Sequence, residues 1–161
     1  MLLPNAAKVG GMGIQDDAVE VRASGWRRLA ALHALIESAL ERELVADTGL
    51  SVVEYTVLDA LSRQDGWHMR MAQLARAAAL SPSAATRLVN RLEDRGLLTR
   101  ILCQEDRRGI YTELTADGRR ALAAARPVHD AALVDALAEA AATPELSGLL
   151  ESLPDLAPLR S

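Results

Sequence analysis

Apolar residues recur every three or four positions along most of this chain, and Gly, Pro and Ser/Thr clusters cut the repeat into segments. Trp26, Leu29, Leu32, Leu35, Ile36, Ala39, Leu40 and Leu44 predict a long amphipathic helix over residues 16–46, closed by Asp47-Thr48-Gly49. Ser51 with Glu54 three residues on forms a capping box for a second helix carrying Val53, Val57, Leu58 and Leu61 and ending near Asp65-Gly66. Residues 69–79 predict a short helix buried through Met71, Leu74 and Ala75, and a turn at Ala79-Leu80 leads to Ser81 as N-cap and Pro82 at the first helical position. That next helix ends at Gly96, so two short helices flank a tight turn: a helix-turn-helix. Residues 99–103 and 110–114 alternate with β-branched content around a polar loop, which predicts a β-hairpin wing. Thr115 caps a helix running to about Ala142, in which Pro127 predicts a kink, and Thr143-Pro144-Glu145 opens a short last helix.

The expected class is therefore mainly α with a small hairpin wing. Residues 1–15, Gly-rich and without periodicity, are expected to be a disordered tail. Residues 51–115 form the winged helix-turn-helix lobe, and residues 16–50 and 116–161 form long flanking helices. The apolar stripes of those flanking helices are wider than so small a lobe can cover, which predicts burial against a second copy in a two-fold dimer.

Wound at 100° per residue, the segment from Ser81 to Gly96 puts Ala85, Leu88, Val89 and Leu92 on one side. Ser83, Arg87, Asn90 and Asp94 fall opposite, flanked by Thr86 and Arg91. A helix that buries one stripe and presents Ser, Thr, Arg and Asn on the other can read base edges: Arg matches guanine O6/N7, Asn pairs with adenine, and Ser or Thr suits either. Asp106-Arg107-Arg108-Gly109 at the hairpin tip offers two cations for the phosphate backbone or the minor groove. A dimer would set two such helices about 34 Å apart, one turn of DNA, and so calls for a palindromic site.

Composition sharpens this in two ways. The 161 residues are half hydrophobic but lack Phe, with aromatics at 2%, so the core must be built from Leu, Ala and Val, which favours helices. The net charge of −4 argues against a nucleic-acid partner until it is divided along the chain. Residues 67–120 hold ten Arg against six acids, a local +4, while each flank carries −4. Local charge governs attraction of phosphate, because salt screens beyond a Debye length of about 8 Å. The lone Cys103 cannot form an internal disulfide, and no apolar run is long enough to cross a membrane, so a soluble cytoplasmic protein is expected. His33, His68 and His129 lack helical ligand spacing, and no nucleophile–base pair or phosphate loop is present. No metal, cofactor or enzymatic activity is expected.

Four pieces in this order and spacing resemble the MarR family of winged helix-turn-helix transcriptional regulators. They are Arg70-Met-Ala-Gln-Leu-Ala75, the run from Ser81 through Thr86-Arg87, Asn90-Arg91 and Gly96-Leu97, the tip Asp106-Arg107-Arg108-Gly109, and Leu114-Thr115-Ala-Asp-Gly118. The resemblance covers about residues 20–150. It implies a homodimer held by the terminal helices, with the motif in the major groove and the wing in the minor groove. It further implies a repressor released by a small aromatic or phenolic ligand in a crevice between dimerisation helices and DNA-binding lobe. Ser81, Ser83, Thr86 and Arg87, then Asn90 and Arg91, would contact DNA; Asp106 would orient an arginine, and Arg107 or Arg108 would enter the minor groove. Trp26, His33 and Tyr55 are the ligand candidates, while Thr56 stands where the urate-responsive branch has Asp.

Several assignments have plainer alternatives. Arg87 could grip phosphate without reading a base, and Arg91 could pair with Asp94 or Asp106. The arginines at the hairpin tip could belong to an ordinary polar turn, Trp26 could be dimer-interface core, and Cys103 fits a structural thiol better than a redox sensor. For the whole chain, the rivals are a winged-helix protein-interaction module and a DNA-binding protein indifferent to sequence.

Overall fold

The computed structural model describes residues 12–102 and 110–156. The described residues form α1 (Met12–Thr48), α2 (Val52–Ser62), β1 (His68–Arg70), α3 (Met71–Ala77), α4 (Pro82–Asp94), β2 (Leu98–Leu102), β3 (Ile110–Leu114), α5 (Ala116–Ala142) and α6 (Pro144–Glu151). They gather into two compact units. Residues Glu37–Asp135 make the larger; the described parts of 1–36 and 136–161 make the smaller. Of the expected tail, residues 1–11 lie outside the described residues, and α1 already begins at Met12.

Local chemistry sets most of the boundaries. Gly49, at φ +68°, ends α1 by bonding its N–H to the Val45 carbonyl at 3.1 Å. The capping box of α2 is complete: Glu54 N–H donates to Ser51 Oγ (3.3 Å) and Ser51 N–H to Glu54 Oε2 (3.1 Å). Helix α2 stops at Ser62, short of the expected Asp65-Gly66, which instead form a tight turn with Trp67. The guanidinium of Arg119 covers the Trp67 ring at 5.2 Å.

The expected hairpin gains a third strand. Residues 68–70, partly assigned to helix from their pattern, pair antiparallel with β3 (His68 opposite Glu113, Arg70 opposite Tyr111), giving the order β1-β3-β2. The pairing partner lies some forty residues away. Thr112 in the central strand is fully buried.

In the helix-turn-helix, α3 ends with Ala79 at φ +53° while Leu80 N–H reaches back to the Ala75 carbonyl at 2.8 Å. An alanine in this left-handed position costs about 1 kcal/mol relative to glycine. Ser81 Oγ then accepts from Ala84 N–H at 3.2 Å, with Pro82 in the first turn. At the far end Gly96 (φ +73°) bonds to the Glu93 carbonyl and Leu97 to the Leu92 carbonyl, the double bond pattern that stops a helix cleanly. Thr115 caps α5 as expected, accepting from Gly118 N–H at 2.9 Å, and α5 continues through Pro127 to Ala142.

The core of the larger unit is Leu and Val, as the absence of Phe requires. Leu44, Leu50, Val57, Leu58, Leu61, Leu74, Val89, Leu92, Leu114 and Leu122 are fully buried. Each such side chain contributes roughly 1.5–3 kcal/mol by leaving water. Two polar ties hold helices in register over this core. Asp59 accepts from Arg63 Nε (2.6 Å) and from Arg126 on α5 (3.1 Å), which also reaches Ser62 Oγ. Arg95, capping α4, donates to Glu54 at 2.9 Å and to the Gly49 carbonyl at 3.1 Å. Glu54 is only 8% exposed, so losing Arg95 would leave its carboxylate without that ion pair in a largely buried site. In the smaller unit Leu32, Ala136, Leu137, Ala140, Leu146 and Leu150 are buried.

Candidate nucleic-acid interface

Helix α4 divides into the two faces its sequence predicts. Ala85, Leu88, Val89 and Leu92 are buried; Ser81, Ser83, Thr86, Arg87, Asn90, Arg91 and Asp94 are exposed. The buried face packs on α3 and β2, so the polar face points outward from a rigid support. Thr86 Oγ1 donates to the Pro82 carbonyl at 2.9 Å and Ser81 Oγ lies 3.3 Å from Ser83 Oγ, and all three residues are exposed near the helix start. Among the described residues the guanidiniums of Arg87 and Arg91 have no hydrogen-bond or ion-pair partner. Asp94 therefore does not engage Arg91. Two exposed arginines one helical turn apart, without a partner among the described residues, can hold phosphates or guanine edges.

Asn90 is different. Its Oδ1 accepts from Nη2 of Arg100 on β2, whose Nη1 is paired with the Glu93 carboxylate. Neither this network nor the Arg95–Glu54 tie is legible locally, because each joins residues whose proximity only tertiary packing creates. Asp106, Arg107, Arg108 and Cys103 lie outside the described residues.

A model described as MarR family matches residues 48–109, which hold the helix-turn-helix and the first wing strand. The HTH-type transcriptional repressor Rv2887 of Mycobacterium tuberculosis is 32% identical over 144 residues, spanning 88% of this chain and 98% of that protein. The chain belongs to the MarR family. Among solved structures, Sco3205, a MarR family transcriptional regulator from Streptomyces coelicolor crystallised in complex with DNA, is 31% identical with a TM-score of 0.68, covering 81% of this chain and 84% of that one. CouR of Rhodococcus jostii RHA1, solved bound to p-coumaroyl-CoA, is 28% identical with a TM-score of 0.62, over 79% of this chain and 83% of that one. This MarR-family protein is a DNA-binding transcriptional regulator with the winged helix fold, mostly helical around a small three-stranded sheet. Regulators of this family act by binding DNA rather than as enzymes.

The remaining candidate residues sit in different surroundings. Tyr55 is buried in the larger unit and stacked on His129, ring centroids 4.3 Å apart at 13°. Burial first, then the nearby Asp59 and Asp130 carboxylates, hold its phenol above the usual tyrosine value. His33 and Trp26 belong to the smaller unit, where Trp26 is 68% exposed. Among the described residues no three of His, Cys, Asp and Glu converge as metal ligands, and no helix is long and apolar enough to cross a membrane.

Proposed function

We propose that this MarR-family protein is a homodimeric repressor that binds a palindromic operator through α4 and the wing and is released by a small aromatic or phenolic ligand. The observation that carries the reading is the exposed face of α4, where Ser83, Thr86, Arg87, Asn90 and Arg91 stand over a buried apolar stripe. In this reading α4 lies in the major groove, and Arg107 or Arg108, oriented by Asp106, reaches the minor groove. The domain roles follow: residues 51–115 bind DNA, and residues 16–50 and 116–161 dimerise. Val19, Trp26 and Leu29, exposed at helical spacing on α1, are the apolar positions a second copy would cover. The repressor names of the curated relatives favour repression, and the p-coumaroyl-CoA in the CouR structure favours a ligand of aromatic acid type. Ligand binding would shift the dimer towards a form that no longer matches two half-sites.

The test is fluorescence anisotropy on an inverted-repeat duplex selected from a random pool, against a scrambled duplex, with p-coumaroyl-CoA and free phenolic acids as added probes. Two protomers per inverted repeat, affinity at least about a thousandfold above the scrambled duplex and release by a probe are expected. Equal affinity for both duplexes would point to sequence-indifferent binding. No salt-dependent binding at all would leave the protein-interaction reading.

A further inference from the structure

The side chain of Asn90 stands on the proposed reading face, yet it is not free to choose how it faces a base. Arginine donates hydrogen bonds and accepts none, so the amide atom turned towards Arg100 must be the oxygen. The amide nitrogen Nδ2 therefore takes the other side, and among the described residues it has no partner. Arg100 is itself held. Its second nitrogen is paired with Glu93, three residues along the same helix, so the planar fork bridges two side chains of α4 from the neighbouring strand β2. An unrestrained asparagine can rotate its amide and offer either a donor or an acceptor. This one is braced with its donor outward.

We propose that Arg100 is a positioning residue that fixes Asn90 as a hydrogen-bond donor towards the DNA, so that the base it faces must offer an acceptor (adenine or guanine N7, guanine O6 or thymine O4) and cytosine, whose major-groove edge offers only its N4 amine, is disfavoured there. The inference rests on the reading of α4 as the groove helix. It assigns Arg100 a task distinct from that of Arg87 and Arg91, because its charge is already matched by Glu93 and is not available to phosphate.

The experiment is binding-site selection from a random duplex pool with wild type, Asn90→Ala, Arg100→Ala and Arg100→Lys, followed by salt titrations on the selected site. Wild type is expected to enrich a motif that excludes cytosine from the contacted strand at one position of each half-site. Asn90→Ala and Arg100→Ala should both lose preference at that same position, by about 5- to 150-fold, and keep the rest of the motif. Arg100→Lys should lose it too, since one ammonium keeps the charge but not the fork. The slope of log K against log salt should be unchanged in Arg100→Ala. A slope lowered by about one with uniform weakening across sequences would make Arg100 a phosphate contact and overturn the proposal. Uniform loss at every position with a lowered melting temperature would make it merely structural and overturn it equally. If wild type enriches a motif and Arg100→Ala enriches the identical one, this inference fails and the function stands; if wild type enriches none, the function fails first.

Discussion

Replacing Gly118 with alanine is expected to lower stability by about 3–5 kcal/mol, the range of a severe core lesion. Gly118 lies in the first turn of α5, and a Cβ there would sit 2.1 Å from the Leu97 carbonyl oxygen and 2.9 Å from Leu114 Cδ1. The carbonyl cannot yield cheaply. It accepts from Thr115 N–H at 3.2 Å and Thr115 Oγ1 at 3.0 Å, and its residue closes the C-terminus of α4 through the bond from Leu97 N–H to the Leu92 carbonyl. Room for one methyl group could be made only by parting α5 from the end of α4. Urea unfolding should show a midpoint well below that of wild type with an unchanged slope. A midpoint within error of wild type would show that this junction is looser than its geometry indicates.

Arg87→Ala is expected to weaken binding to the operator by about 5- to 150-fold, the worth of one good bidentate contact. Its affinity for unrelated duplexes should fall much less. Arg87 is exposed at the centre of the polar face of α4 and, among the described residues, spends its guanidinium on no partner. No described contact is lost by its removal, and melting is expected to stay near the wild-type temperature. Arg87→Lys should recover the part due to charge but not the discrimination, because an ammonium cannot present the paired donors that match guanine O6 and N7. The measurement is anisotropy on matched and mismatched duplexes at two salt concentrations. Equal losses on both duplexes, with a reduced salt slope, would reassign Arg87 from base to phosphate.

What could be seen in the sequence was what depends on near neighbours. Ser81, Pro82 and Gly96 bound α4, and Ser51 with Glu54 opens α2, because caps are satisfied within one turn of chain. The buried stripe of α4 follows from periodicity alone. The strand β1 escaped because three residues carry no period, and its bonds go to β3 far along the chain. Arg95 and Arg100 escaped for the same reason: an arginine at a helix end or on a strand looks solvated until its distant carboxylate or amide is placed beside it. Trp26 fits either a packing or a ligand role by sequence, and the chain itself leaves it 68% exposed.

The most direct measurement is dimethyl sulfate methylation interference on the selected operator, which marks guanine N7 in the major groove. Two clusters of interference about 10 base pairs apart, each weakened by Arg87→Ala, are the result predicted for a pair of α4 helices set in successive turns. Interference absent from the major groove, or confined to a single cluster, would contradict it.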